Sequence, residues 1–223
     1  MKTIAVIPMK LNNERLPHKN TKMFTNGKPL CSYILNTLSK VKNIDEIFVY
    51  CSDEAILNYL PENIRFLKRS TDLDNNNSTM NDVLNAFAND IDADIYVLAH
   101  ATAPFVKANT FEKCINLVKS NNYDSAFSAQ KVQDFLWKDG KPINYELENI
   151  PRTQDLPNIY RETCGFYIFK KEIIKNYNRR IGNNPYVCEV DELEAIDIDD
   201  QFDFDIANYL LEKYKESIIW KKI

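Results

Sequence analysis

Short apolar runs, set apart by turn formers and alternating with stretches of helical period, organise most of this chain. Ile4-Ala5-Val6-Ile7 is unbroken apolar sequence ending at Pro8, which reads as a buried strand feeding a loop. After Gly27-Lys28-Pro29, the residues Leu30, Ile34, Leu38 and Val41 recur at helical spacing and predict the first crossover helix. Residues 47–51 read as a second strand, 54–59 as a short helix and 64–69 as a third strand. A helix over 82–89, a central strand over 95–99, a helix over 110–120 and a strand over 125–129 follow. Residues 165–169 are a further strand. Residues 195–199 are read as extended, and the chain closes on a helix with Ala207, Leu210, Leu211 and Tyr214 on one face. Such alternation predicts an α/β fold, a Rossmann-like and mostly parallel sheet with helices on both faces, in a single domain spanning 1–223.

One segment breaks the rhythm. From about residue 130 to 162 the chain carries Gly140-Lys141-Pro142, Pro151 and Pro157 with Trp137, Tyr145 and Tyr160 between them, and no long helical period. It is read as an inserted arm, too apolar to stay exposed on a monomer and therefore expected to exchange with a two-fold mate.

Composition narrows the classes. The chain has 223 residues, 44% hydrophobic content and a net charge of −4, enough for one core and too acidic for an extended nucleic-acid surface. Cys31, Cys51, Cys114, Cys164 and Cys188 form no CxxC pair and are odd in number, so they read as small buried hydrophobes in a reducing compartment. With no signal-like N-terminus and no 18-residue apolar stretch, a cytoplasmic protein without a membrane segment is expected.

Candidate chemistry concentrates at the two ends. Lys10, Arg15, His18 and Lys19 lie among Asn12, Asn13, Pro17 and Asn20, directly after the first strand. Ligands of open α/β sheets bind beyond the carboxyl ends of strands, so this loop is either a phosphate site or a solvated basic turn. It contains no Gly, hence neither a P-loop nor a GxGxxG fingerprint, and any phosphate binding would rest on screened side-chain charge. At the other end, Asp197 and Asp199 alternate with Ile196 and Ile198. In an extended backbone both carboxylates face one way, which suits Mg²⁺; the alternative is acidic capping of the last helix, preferred for Asp200 and Asp203. Arg69 ends the third strand, and His100 follows the central strand over 95–99. Each is a candidate ligand contact or a structural residue.

The motif Ile7-Pro8-Met9-Lys10-Leu11-Asn12-Asn13-Glu14-Arg15-Leu16-Pro17-His18-Lys19-Asn20 resembles the opening of the cytidylyltransferases that make CMP-activated acidic sugars. The CMP-sialate branch reads I-P-A-R-G-G-S-K-x-x-P-x-K-N, and Arg15-Leu16-Pro17 is like the CMP-Kdo branch. Lys10 stands where the family has Arg, Leu11 and Asn12 where one branch has two Gly, and Glu14 where it has Lys. Residues 194–199 resemble its E-A-I-D-I-D element, residues 98–104 its L-L-Q-P-T-S-P, residues 152–157 its R-Q-D-x-P with one insertion, and residues 160–168 its Y-x-x-N-G-A-I-Y-I.

The resemblance implies a CTP-dependent enzyme that couples CMP to a sialate-, nonulosonate- or Kdo-like acid, for surface polysaccharide synthesis of bacterial type. It implies Lys10, Arg15, Lys19 and Asp199 as catalytic residues, and Pro8, Asn20, Arg69, Ser78 and Thr79 as CTP contacts. His100, Thr102, Arg152 and Gln154 would bind the acceptor, and Asp197 and Asp199 would hold Mg²⁺. It further implies a homodimer built through the arm. A catalytically inactive nucleotide-binding relative is the alternative that the loop's departures motivate. A glycosyltransferase would want an Asp-x-Asp after a mid-chain strand, whereas residues 90–94 precede one.

Overall fold

The first strand owes its position to having no polar face. In a computed structural model, which describes residues 1–214, β1 (Thr3–Met9) runs through the middle of the sheet, and the alternation of its side chains serves two separate layers. Ala5 and Ile7 pack among α1 (Cys31–Leu38) on one side, while Ile4 and Val6 pack on the opposite side. Removing such a doubly covered side chain, as in Ile7→Ala, costs roughly 2–5 kcal/mol.

Parallel partners flank it. β2 (Glu46–Cys51) pairs along one edge and is followed outward by β3 (Arg65–Lys68). After α2 (Met80–Asp90), β4 (Ile95–Ala99) pairs along the other edge of β1. α3 (Ala108–Lys119) leads to β5 (Ser125–Val132), and the chain then leaves the sheet. A small hairpin of β6 (Trp137–Lys138) and β7 (Lys141–Pro142) forms there, and β8 (Ile159–Lys170) returns. α4 (Lys171–Tyr177), β9 (Pro185–Glu189) and α5 (Gln201–Lys213) complete the order. The seven-stranded sheet is ordered β3-β2-β1-β4-β8-β5-β9. α1 and α3 cover one face and α2 and α4 the other, as the α/β pattern predicts. The last residues of the expected 1–223 domain, 215–223, lie outside the described residues.

Several expectations are corrected. β8 runs antiparallel to both β4 and β5, so the sheet is mixed at that seam. The segment 195–199 belongs to no strand: Ala195 closes a turn and residues 196–199 take no regular structure, with the Ile198 amide bonded to the Thr102 carbonyl beyond the end of β4. The arm is shorter than 130–162, because β5 and β8 continue into that interval and pair as far as Val132 and Ile159. α4 and β9 were not expected.

Candidate active site

The basic loop turns without glycine. His18 takes the left-handed conformation (φ 56°) that a Gly would usually supply, and the chain then winds through one 3-10 turn at Lys19–Thr21. Leu16 anchors the loop against Phe24, Leu30 and Ile198 beneath α5. Asn20 donates from Nδ2 to the Lys10 carbonyl at 2.9 Å and closes the loop. This burial carries Lys19 inward. Its side chain, expected on the surface, is 10% exposed, and its Nζ donates to the Ile198 carbonyl at 2.9 Å and to Asp199 Oδ1 at 3.4 Å. Arg15, 69% exposed, donates to the same Asp199 oxygen at 2.8 Å.

The carboxylate segment is fixed at both ends. Ahead of it, Glu194 is buried and accepts the Lys107 amide at 2.8 Å and the Thr110 hydroxyl at 2.7 Å, tying the turn to the start of α3. Behind it, Asp203 accepts the amides of Asp199 and Asp200 and forms a capping box for α5, the role expected for this pair. Between these, the Ile198 amide donates to the Thr102 carbonyl at 2.9 Å, which pins the segment to the end of β4. Asp197 Oδ1 is enclosed and has no hydrogen-bond partner. Burial pushes the Asp197 carboxyl above its ordinary pKa and the Asp199 charge adds to this, opposed by the Thr102 hydroxyl and Lys19.

Two carboxylates with an unsatisfied enclosed oxygen are what a hard divalent cation requires. Among the described residues no cluster of three or more ligating side chains occurs. A Mg²⁺ at Asp197 and Asp199 would take these carboxylates and fill the rest of its shell with water and phosphate.

Two clefts border the loop, and a third adjoins one of them at Asp199. One of about 280 Å³ lies between Lys10, Arg15, Lys19 and Asp199. A second, of about 380 Å³, is bordered by Asp197, Asp199, Thr163 and Arg161. The largest, about 790 Å³, lies behind the loop between His18, Ser52, Lys68 and Asp74 and touches neither Asp197 nor Asp199. Asp199 alone of the pair borders both smaller clefts and so stands at their junction.

The remaining predicted residues divide. Pro8 sits half-buried near the end of β1, opposite Tyr50. Arg69 is buried rather than a surface residue, its Nε and NH2 both on Asp74, whose other oxygen accepts from Ser52. Ser78 Oγ donates to the Asp72 carbonyl, and Thr79 forms the N-cap of α2 with Asp82, so both hydroxyls are engaged in local structure. The His100 ring is half-buried with Nε2 enclosed and unpartnered. Burial, helped by Arg180 and Lys19, lowers its pKa to about 4, so the imidazole is neutral at pH 7. Arg152 and Gln154 lie on the arm and border neither of the clefts that meet at Asp199; Arg152 pairs with Asp155 three residues on.

Sequence reasoning missed Arg180, and it gave no role to Arg161, Glu162 and Glu194 within the elements at 160–168 and 194–199. Arg180 lies over the Tyr167 ring at 4.2 Å, and the Tyr167 hydroxyl donates to Glu162 across a bulge where Cys164 has φ 55°. Non-glycine strain of this kind gathers at functional sites.

A family model described as cytidylyltransferase matches residues 4–208 of this chain. The chain belongs to that family. Among curated relatives, this cytidylyltransferase-family chain is 25% identical over 213 residues to N-acylneuraminate cytidylyltransferase A of Danio rerio, covering 91% of itself and 49% of that protein. It is 26% identical over 234 residues to the CMP-N,N'-diacetyllegionaminic acid synthase of Legionella pneumophila, covering 98% of itself and 100% of that protein. The chain spans about half the length of the first curated relatives it matches. Its fold is that of a CMP:2-keto-3-deoxy-manno-octonic acid synthetase solved with CTP. The TM-score is 0.71 at 16% identity, over 96% of this chain and 99% of that one.

Proposed function

We propose that this chain is a CTP-dependent cytidylyltransferase that transfers CMP to a hydroxyl of an acidic sugar, of the sialate, legionaminate, pseudaminate or Kdo type. The observation that carries the reading is the convergence of Lys19, Arg15, Asp197 and Asp199 on the junction of two clefts. Family membership and the names of the relatives support the chemistry.

The triphosphate would lie in the cleft between Lys10, Arg15 and Lys19, with the nucleoside toward Asn20 and the Arg69 end. The acceptor would occupy the cleft beyond Asp197. The acceptor oxygen forms a bond to the α-phosphorus, the bond from that phosphorus to the bridging oxygen breaks, and pyrophosphate leaves with its charge against the loop cations. Mg²⁺ held by Asp197 and Asp199 would neutralise phosphate oxygens and acidify a hydroxyl. His100, neutral and with a pKa near 4, is too weak a base to keep the released proton, which passes to water. Arg15 and Lys19 hold Asp199 in place at the cleft junction.

Buried free thiols at Cys31, Cys51, Cys114 and Cys188 support a reducing, cytoplasmic setting. Among the described residues no helix is long and apolar enough to cross a membrane. The exposed arm supports a homodimer in which Arg152 and Gln154 serve the partner's acceptor.

The test is pyrophosphate release from CTP with Mg²⁺ across a panel of such acids. Turnover with at least one acid is expected. Asp199→Asn, which keeps shape and removes charge, is expected to fold normally and lose on the order of 100-fold in rate, the equivalent of ~3 kcal/mol. CTP binding with no turnover on any acid would favour an inactive nucleotide-binding relative, and near-normal rates for Asp199→Asn would remove the metal site.

A further inference from the structure

The cleft beyond Asp197 has a charge problem if its occupant is an acid. Its border carries Glu162, Glu192, Asp197, Asp199 and Asp203, and among the described residues bordering it Arg161 is the one cation. Arg15 and Lys19 already neutralise Asp199 from the loop side. An acceptor carboxylate placed at random in this cleft would face like charge on most sides, which costs binding energy at such distances.

Arg161 is set up to take it. It stands directly across from Gln130 in the β5–β8 ladder, at the root of the arm. Its Nε and NH2 both donate to the single Gln130 Oε1, at 3.0 and 2.7 Å. This edge of a guanidinium is the fork that matches the two oxygens of a carboxylate, yet here both prongs share one neutral amide oxygen. A carboxylate would accept each prong on its own oxygen with charge assistance, so exchange of the amide for an acid is favourable. Gln130 also borders the cleft, so the exchange takes place at the cleft wall rather than behind it.

We propose that Arg161 is the carboxylate anchor of the acceptor subsite, with Gln130 holding its fork open until the acid displaces the amide. The acid then lies with its carboxylate toward the arm root and its reacting hydroxyl toward Asp197 and Asp199. Within its own chain, Arg161 is the side chain that selects acidic sugars over their neutral counterparts. The inference rests on the cytidylyltransferase reading above.

The experiment compares wild type with R161Q, R161K and Q130E. The acceptors are N-acylneuraminate, 3-deoxy-manno-octulosonate, N,N'-diacetyllegionaminate and pseudaminate, together with the methyl ester of whichever acid turns over. In R161Q the KM for the acid is expected to rise about 10- to 100-fold, the loss that follows removal of a charged hydrogen-bond donor. The KM for CTP is expected to change less than about twofold, and the preference for acid over ester to disappear. R161K, which keeps charge without the fork, is expected to fall between. Q130E places a permanent carboxylate on the fork and should raise the KM for the acid while leaving that for the ester unchanged.

A purely structural cross-strand pair would lower stability or kcat without altering the acid-to-ester ratio, and that outcome would overturn the proposal. So would an unchanged KM for the acid in both R161Q and Q130E. Should R161Q fail to fold, R161K and Q130E carry the same comparison. If wild type releases no pyrophosphate with any acid, the cytidylyltransferase reading fails and this inference with it; if wild type is active and the ratio persists in the variants, this inference alone fails.

Discussion

Lys19 Nζ donates to the main-chain carbonyl of Ile198 at 2.9 Å across a separation of 179 residues. Because that bond is buried, the loop and the carboxylate segment form one rigid unit, and Lys19 presents its charge through a bond that salt does not screen well. Lys19→Ala is therefore expected to weaken CTP binding about 10- to 100-fold at both low and high ionic strength. Arg15 is largely exposed on the same oxygen, so the loss from Arg15→Ala should shrink as salt rises. Titration calorimetry at two salt concentrations separates these patterns, and equal salt sensitivity would show that Lys19 is exposed after all.

The Glu194 clasp is expected to matter to stability before chemistry. Removing its carboxylate in Glu194→Ala strands the Lys107 amide and the Thr110 hydroxyl, a cost of about 2 kcal/mol. Urea unfolding should show that loss. Thr110→Ala, which removes one donor and leaves the Lys107 amide and Nζ in place, should show a smaller loss.

His100 should make the fold acid-sensitive. Below pH 6.5 the unfolded chain protonates this imidazole, whereas the folded chain resists until about pH 4. The unfolded state thus binds more protons across that window, and stability falls as pH drops through it, by up to about 3 kcal/mol. His100→Gln should flatten this dependence. Unfolding midpoints at pH 7 and pH 4.5 measure the difference, and parallel curves for the two proteins would assign the acid sensitivity elsewhere.

The arm predicts an assembly. Trp137, Ile143, Leu147 and Ile150 are each more than half exposed on one projection. Single chains rarely show such a patch to water. Light scattering is expected to give twice the 26.0 kDa chain mass. The double substitution Trp137→Ser with Ile150→Ser should shift the mass toward the monomer, and a monomeric wild type at micromolar concentration would refute the arm's role.

How much could be read beforehand depended on how local the cause was. β1, β2 and β4 are buried on both faces and so appear as unbroken apolar runs. β9 is an edge strand, with Pro185 and Glu189 exposed or half-exposed, and α4 is only seven residues long, so neither left a periodic signal. The reversal of β8 has no signature in its composition, since Gly165 to Phe169 would serve a parallel strand equally well. In the site, the loop cations and the Ile-Asp-Ile-Asp pattern stood out because their spacing is itself the signal. Burial of Lys19 was not legible, because it depends on a partner at Ile198 that no short window links, and Arg69 gave no sign that it folds back onto Asp74, five residues on. Arg161, though within the element at 160–168, was given no role for a similar reason: the cleft it faces is completed by Gln130 and by residues 192–206, about 30 or more positions away along the chain.

The order of the sheet has a consequence for synthesis. Strands β3, β2, β1 and β4 all lie within the first 99 residues and can pair as soon as they leave the ribosome. β8 must then insert between β4 and β5, and the acidic segment arrives only afterwards. At roughly 5–20 residues per second, Ile198 emerges about 10–35 s after Lys19. Throughout that interval a lysine destined for the interior has no acceptor, so the nascent N-terminal half holds its sheet but not its loop. A ribosome-stalled chain ending before residue 198 should accordingly protect the strands at 3–9, 46–51 and 95–99 from proteolysis while leaving the bonds around Lys19 cleavable, and protection there should appear only once the last helix has docked.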